Sequence, residues 1–381
     1  MVGLNVSILT QPLGHNYGGL LQAWALQTYL EKIGCEVEIL DRRVESVGWN
    51  SLKVHLLNLA RLMLGRIKSL PSERRQAWAW AELAAFRDHQ LKMSPRIVSE
   101  HKVREYYRER NFDVFVVGSD QVWRPRYSPS ILNFYLDFLD DIRCPAKRIA
   151  YAASFGVDNW EYSPKLTGKC KNLARKFDAI SVRENSGVDL CQDKLGVSAQ
   201  CVADPTFLLE RAEYESLISK CESYSNPGRV LSYVLDPAPE KRSIARDVGR
   251  LLGSEVFSIK PEYSVTDVRA KDLLKCRFPG VERWLLAFRD ARFVVTDSFH
   301  GTIFSILFNK PFITVGNSTR GLARFESLLS QFGLVERLVE SPTEIPLGLV
   351  QRQIDWEAVN DKREELSTAG RLFLRTQLLG H

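Results

Sequence analysis

The sequence lacks the cysteine spacing of a zinc site or of a disulfide framework. Its seven cysteines form an odd, scattered set within 381 residues, and no two of them make a CxxC pair. This pattern favours free thiols in a reducing compartment. We therefore expect a cytoplasmic protein without bound zinc.

Long apolar runs are missing as well. No segment reaches the roughly 18 uninterrupted apolar residues that a membrane-spanning helix requires. Residues 4–9 predict a strand, and no basic segment of the kind that opens a secretory signal precedes them. We expect neither a transmembrane helix nor a signal peptide.

Nucleic-acid motifs and internal repeats are absent too. The net charge of +6 is not gathered into a basic patch with interleaved aromatic residues, so we expect no nucleic-acid partner. An excess of positive charge of this size is compatible with binding to anionic small molecules or to a membrane surface, and the charge alone does not distinguish the two.

What the sequence does contain is a repeated alternation of strands and helices. Residues 6–9 form a strand-like run, a glycine-rich loop follows at 14–19, and apolar residues then recur at helical spacing over 20–30. This is half of a Rossmann-like unit. The loop is not GxGxxG, so it supports dinucleotide binding only weakly.

The length and a second run of alternation beyond residue 228 predict two domains. We predict an α/β fold in which two Rossmann-like domains face each other across a cleft, as in GT-B type transferases. The N-terminal domain is assigned to residues 1–212, with a helical insertion at 49–110, and the C-terminal domain to 213–355. Residues 356–381 form a last helix that crosses back to the N-terminal domain.

Within the insertion, residues 49–70 combine leucines at helical spacing with basic residues. No acidic residue occurs between Ser46 and Ser72. A basic amphipathic helix of this kind can lie in a membrane interface. It can equally be part of a helical hairpin that packs over the domain.

Polar residues follow the predicted strands of the N-terminal domain. The strands at 112–117, 148–153, 178–182 and 201–202 lead into segments that contain Asp120, Ser154, Arg183 and Asp204. The carboxyl ends of parallel strands meet at one edge of a sheet, where ligands bind. We therefore expect these side chains to converge on one crevice.

In the C-terminal domain, a β-branched strand at 292–296 passes directly into a helix at 300–308. Asp297 or Ser298 can cap that helix, and His300 then lies at its N-terminus. Backbone N–H groups at such an end favour anions, and histidine transfers protons near neutral pH. His300 is therefore the leading candidate for a catalytic residue.

The ordered set of motifs resembles the polysaccharide pyruvyl transferase family. The resemblance covers about residues 5 to 340 and rests on six segments, which run 16–19, 118–123, 151–156, 181–184, 203–206 and 297–301 and continue to 310–312. It implies an enzyme that moves pyruvate from phosphoenolpyruvate (PEP) onto two hydroxyls of a sugar. The product is a cyclic ketal on a surface polysaccharide, such as a capsule or an exopolysaccharide.

The chain departs from the family pattern at one position of the predicted donor site. Several members carry Arg-Leu-His where this chain has Ser298, Phe299 and His300. If that arginine binds the donor, another cation must replace it here, and Arg320 and Arg324 are the natural substitutes. We expect PEP to bind on the C-terminal side, at residues Arg183, Ser298, His300, Arg320 and Arg324.

The resemblance also implies roles in catalysis and in acceptor binding. His300 is the candidate acid, base or phosphate ligand, and Asp120 is a candidate base. The predicted acceptor residues on the N-terminal side are Asn16, Tyr17, Gly18, Asp120, Trp123 and Asp204. A capped turn at Asp204 and core positions for Tyr17 and Trp123 are alternatives. No metal or cofactor is expected.

Two other functions use the same scaffold. One is a GT-B glycosyltransferase that takes a nucleotide sugar, and the other is a non-catalytic relative that binds a glycan or an anion. In the main hypothesis the partner is an oligosaccharide, which a lipid can carry at the inner face of the cell membrane, and residues 49–70 would contact that membrane. The sequence does not predict the oligomeric state.

Overall fold

The computed structural model describes residues 3–44, 52–219, 228–236, 238–316, 321–339 and 347–380. Within these residues, eleven strands form two separate sheets, and every pairing is parallel. The strands are β1 (Asn5–Leu9), β2 (Glu36–Ile39), β3 (Val114–Val117), β4 (Lys147–Ala153), β5 (Ala179–Val182), β6 (Gln200–Cys201), β7 (Val230–Tyr233), β8 (Val256–Phe257), β9 (Phe293–Thr296), β10 (Phe312–Val315) and β11 (Leu338–Val339).

Fifteen α-helices of the described residues surround these sheets. They are α1 (Tyr17–Lys32), α2 (Leu52–Met63), α3 (Glu73–Ala79), α4 (Ala81–Gln90), α5 (Glu100–Arg108), α6 (Phe138–Asp141), α7 (Pro164–Ala174), α8 (Asn185–Leu190), α9 (Arg211–Ile218), α10 (Pro239–Leu252), α11 (Val281–Asp290), α12 (Phe299–Leu307), α13 (Ala323–Gln331), α14 (Leu347–Gln351) and α15 (Trp356–Leu379).

The first sheet has the strand order β2-β1-β3-β4-β5-β6. Val6 of β1 lies opposite Val37 of β2 on one side and Val114 of β3 on the other. All of β3 and residues 149–153 of β4 are apolar and buried, as in a parallel sheet with both faces covered. The predicted strands of this domain are confirmed, with ends shifted by one or two residues.

The second sheet has the order β11-β10-β9-β7-β8. Strands β7, β9 and β10 match the strands that the sequence predicts at 229–235, 292–296 and 311–315. β8 has two residues where the sequence predicts a strand over 255–259, and β11 is not predicted. β8 lies at the edge and pairs only with β7, so fewer of its residues are held in the ladder. Together the two sheets confirm the predicted pair of Rossmann-like α/β domains.

The two domains contact each other through backbone and aromatic groups. The Tyr17 ring at the start of α1 stacks on Trp284 of α11 with ring centroids 5.4 Å apart. A side chain on Gly321 would approach the carbonyl oxygen of Gly156 to 2.1 Å, so the loops that carry them touch. These contacts lie at the carboxyl edges of the sheets, where the crevice was expected.

The last helix, α15, packs on the N-terminal domain. Arg371 of α15 donates a hydrogen bond to the carbonyl of Leu208 (3.0 Å) and pairs with Glu210 (2.5 Å). Lys147 of β4 donates to the carbonyl of Gln377 (2.6 Å). The chain therefore finishes on the domain in which it began.

The helical insertion differs in detail from the prediction. Residues 45–51 lie outside the described residues, and the predicted helix of 49–70 is observed as α2. The two helices that follow, α3 and α4, are separated at Trp80, whose backbone is not α-helical. None of the helices in the described segments is long and apolar enough to cross a membrane.

Candidate active site

His300 lies at the first turn of α12, where the C-terminal domain meets the N-terminal domain. Ser298 is the N-cap, since its Oγ accepts a hydrogen bond from the backbone N–H of Gly301 (3.2 Å). Asp297 does not cap the helix: its carboxylate accepts hydrogen bonds from Lys241 (3.0 Å) and from the Asp236 N–H (3.1 Å). The cap fixes the backbone from which the imidazole reaches the other domain.

The imidazole of His300 packs against the backbone of Gly18 in α1. A β-carbon on Gly18 would lie 2.0 Å from Nδ1 and 2.2 Å from Cγ of His300, so only glycine leaves room for the ring. Asn16 caps α1 by accepting a hydrogen bond from the Gly18 N–H (3.1 Å). The imidazole of His300 therefore packs directly on the backbone at the glycine-rich loop.

Asp204 lies between His300 and Arg183. Its Oδ2 atom is 2.9 Å from Nη1 of Arg183 and 3.6 Å from Nε2 of His300. Its Oδ1 atom accepts hydrogen bonds from the N–H (3.1 Å) and the hydroxyl (2.8 Å) of Thr206, which is the expected capped turn. Burial opposes ionisation, but His300 and Arg183 outweigh it and hold the pKa of Asp204 below its usual range.

Arg183 is buried among three carboxylates. Besides Asp204, its Nε is 3.2 Å from Glu184 and its Nη2 is 3.7 Å from Oδ1 of Asp120. Burial alone would lower the pKa of Arg183, but these carboxylates raise it above its ordinary value. The guanidinium also stacks on the ring of Phe299, 4.2 Å from its centroid. Arg183 is therefore a fixed cation that holds acidic side chains together.

Glu184 belongs to this cluster although sequence reasoning did not assign it a role. Its Oε1 accepts a hydrogen bond from the hydroxyl of Ser154 (2.6 Å) as well as from Arg183. The signal was present, since Glu184 directly follows strand β5 beside Arg183. Asp120, which follows β3, is also buried and has a positive φ of 65°.

Two polar atoms in the centre of the cluster have no hydrogen-bond partner among the described residues. They are Nε2 of His300 and Nη2 of Arg183, and both are shielded from solvent. Buried polar groups are usually paired. Neither atom therefore has its hydrogen-bonding capacity met by the described residues, although Nε2 lies 3.6 Å from Asp204 and Nη2 lies 3.7 Å from Asp120.

Arg324, on α13, supplies a second guanidinium near the first. It lies 5.7 Å from the centroid of the Phe299 ring, on which Arg183 also stacks, and its Nε donates to the carbonyl of Gly321 (3.4 Å). In the described part of the chain no ion pair joins it to a carboxylate. Burial and the neighbouring Arg183 lower the pKa of Arg324 to about 10. The other predicted substitute, Arg320, lies outside the described residues.

Two residues of the predicted acceptor set are buried, with their polar atoms bonded inside the protein. Trp123 lies in the N-terminal domain, where its Nε1 donates to the carbonyl of Phe134 (2.9 Å). Tyr17 lies between the domains, and its hydroxyl donates to the carbonyl of Pro279 (2.7 Å). These contacts favour the core alternative for both residues. Asn16, Gly18, Asp120 and Asp204 lie at the carboxyl edge of the first sheet.

In overall structure the chain is similar to several enzymes with two facing Rossmann-like domains. The "glycotransferase of kitacinnamycin" superposes with a TM-score of 0.54 at 12% identity, covering 99% of each chain. UDP-GlcNAc 2-epimerase from Neisseria meningitidis gives 0.55 at 8% identity, covering 99% of this chain and 100% of the other. UGT89C1 from Arabidopsis thaliana gives 0.53 at 9% identity, with coverage of 99% and 100%. These similarities establish the GT-B fold.

The sequence itself identifies the family. The model of the polysaccharide pyruvyl transferase family matches residues 16–319, which is most of the chain and includes the loop at Gly18, the Arg183 strand end and the His300 helix. The chain therefore belongs to the polysaccharide pyruvyl transferase family. No curated protein matches it significantly in sequence.

Proposed function

We propose that this protein transfers pyruvate from PEP onto two hydroxyls of a sugar and forms a cyclic ketal during surface polysaccharide biosynthesis. The observation that carries the proposal is that two groups lie beside the ring of Phe299: the imidazole of His300, whose Nε2 has no hydrogen bond among the described residues, and Arg324, whose guanidinium has no carboxylate partner there. The first suits proton transfer and the second suits an anionic donor. The family assignment supports a transferase.

The reaction begins with protonation of the PEP methylene carbon, which leaves C2 open to attack. One sugar hydroxyl adds to C2 and gives its proton to a base, and the C2–O bond to phosphate breaks. The second hydroxyl then adds to C2 and loses its proton, which closes the ring. One diol and one PEP thus yield one ketal and inorganic phosphate. His300 is proposed as a proton carrier in these steps, with Asp120 as a second one.

The donor site follows from the charges around His300. Arg324 and the N-terminus of α12, where Ser298 is the cap, offer positive groups to the phosphate and carboxylate of PEP. Arg183 contributes only its Nη2, which makes no hydrogen bond among the described residues and lies 3.7 Å from Asp120, since its other nitrogens already bind carboxylates. Arg320 is also proposed as a donor ligand, because of its position in the sequence alone.

The acceptor is proposed to bind from the N-terminal side. Asn16, Asp120 and Asp204 lie at the carboxyl edge of the first sheet, and Gly18 is proposed to act indirectly, by making room for the imidazole of His300. We propose an oligosaccharide acceptor, carried on a lipid at the inner face of the cell membrane. Helix α2 of the insertion is the proposed membrane contact.

A binding and transfer experiment tests this function. Calorimetry should detect binding of PEP but not of nucleotide sugars, and mass spectrometry should show an acceptor glycoside that gains one pyruvyl unit. Arg324→Met should weaken PEP binding about tenfold or more without lowering the melting temperature, since it removes a poorly solvated cation. Arg250→Met, at an exposed position on α10, is the matched control.

Two outcomes contradict the proposal. Binding of a nucleotide sugar in place of PEP would indicate a glycosyltransferase. PEP binding without phosphate release in the presence of every acceptor tested would indicate a non-catalytic relative.

A further inference from the structure

Helix α2 and Leu64, which directly follows it, carry exposed apolar side chains. Met63 is 88% exposed, and Leu56, Leu57 and Leu64 are exposed as well. Arg61 lies among them and is exposed too. Such a helix is unusual on a soluble surface, where contiguous apolar side chains mark an interaction site.

A second exposed apolar segment lies in the C-terminal domain. Leu274, in the 3₁₀ segment Ala270–Cys276, is 76% exposed, and Tyr263 is exposed nearby. Backbone hydrogen bonds join this region to the chain that leaves α2. The N–H groups of Lys68 and Ser69 donate to the carbonyl of Thr266 at 2.7 and 3.1 Å. Backbone contacts therefore join the two exposed apolar segments, and each domain contributes one of them to the surface.

A basic cleft lies where the two segments meet. It has a volume of about 360 Å³, and its charged lining residues are Lys68, Arg269, Lys271, Lys275 and Asp272. Lys275 is 3.7 Å from the single carboxylate, that of Asp272, so three cationic groups lack an acidic partner within the cleft lining. The cleft therefore attracts anions, and its position beside exposed leucines is typical of an interface between water and hydrocarbon.

We propose that this surface binds an anionic lipid bilayer. The apolar side chains of α2 and Leu274 enter the interfacial region, and the basic cleft receives a lipid phosphate. Charge complementarity favours a membrane as the occupant, because residues 47–71 contain no acidic residue. The inference goes beyond the α2 contact proposed above, since it adds a lipid-phosphate site and makes the C-terminal domain part of the docking surface.

Vesicle flotation tests the proposal on the full chain. The protein should float with vesicles that contain about 30% phosphatidylglycerol and stay with the soluble fraction when only phosphatidylcholine is present. Met63→Glu, Leu274→Glu and Lys271→Glu should each lower the affinity about fivefold or more. The matched controls Leu372→Glu and Arg250→Glu change exposed side chains of α15 and α10 and should float as the wild type does.

The outcomes separate docking from catalysis. None of the three test residues lies in the candidate active site, so pyruvyl transfer to a soluble glycoside should be unchanged in all three variants. No flotation with anionic vesicles would overturn the proposal. Loss of binding in Met63→Glu with full binding in Leu274→Glu and Lys271→Glu would overturn the two-domain surface and leave only the α2 contact. Tight binding of inorganic phosphate that vesicles fail to displace would assign the cleft to a soluble anion instead.

Discussion

Nε2 of His300 lies 3.6 Å from Oδ2 of Asp204, although the two residues belong to different domains. The same oxygen is bound by Arg183 at 2.9 Å. Arg183 therefore holds Asp204 in place within the N-terminal domain, independently of His300. The imidazole and its carboxylate neighbour come together only where the domains meet, and so a proton-transfer site at this position depends on the docking of α12 against α1.

Replacing His300 by glutamine should abolish turnover while leaving the fold intact. Proton transfer by a positioned side chain contributes about 100-fold or more to rate, and glutamine keeps much of the volume without titrating. We expect phosphate release from PEP to fall by that factor. The variant should still fold, but with a melting temperature below that of wild type, because the buried carboxylate of Asp204 loses the imidazole beside it. His101→Gln, at an exposed position on α5, is the control. Phosphate release at the wild-type rate would remove His300 from the mechanism.

Gly18→Ala should displace the imidazole. The new methyl group would lie 2.0 Å from Nδ1 of His300, and overpacking of this kind costs about 1–3 kcal/mol. We expect turnover to fall about tenfold or more, because a displaced catalytic group loses its alignment. Gly19→Ala is the matched control, since its β-carbon would meet only Asn16 at 3.4 Å. Equal turnover in the two variants would show that the ring does not rest on Gly18.

Arg183→Met should destabilise the protein strongly. It leaves three buried carboxylates without their shared cation, and breaking a buried ion pair costs about 3–5 kcal/mol. Denaturant unfolding measures the change in the free energy of unfolding. Arg211→Met, which removes an exposed pair with Glu215 on α9, should change it by less than about 1 kcal/mol. A similarly small change in Arg183→Met would mean that Arg183 serves the ligand rather than the fold.

The contribution of Asp204 to stability should depend on pH. Its pKa is lower in the folded state than in the unfolded chain, so its ionised form stabilises the fold at any pH above the unfolded value of about 4. That contribution is lost as the pH falls below about 4. The difference in unfolding free energy between wild type and Asp204→Asn should therefore be constant above this range and shrink below it. A difference that does not shrink in acid would contradict the low pKa.

Much of the fold and part of the site could be predicted from the sequence. The strands are short β-branched runs with polar residues directly after them, and the carboxyl ends of parallel strands meet at one edge. Asp120, Arg183 and Asp204 therefore converge as expected. Ser298 was recognised as one of two candidate caps for the helix that carries His300.

Other features could not be predicted because they depend on contacts between distant segments. The sequence shows a glycine at position 18 but not that the ring of His300 rests on it. An aromatic residue beside a strand end, such as Trp123 or Tyr17, can stack on a sugar or pack in the core. The sequence does not distinguish the two roles, whereas the hydrogen-bond partner of the side chain does.

The return of α15 to the N-terminal domain restricts how the two domains can move. The polypeptide passes between them twice, once after α9 and once before α15. The C-terminal domain is therefore tied to the N-terminal domain at both of its ends, by the chain that follows α9 and by the hydrogen bonds of α15. A chain cut just before α15 should lose this restraint, even though every residue around His300 would still be present.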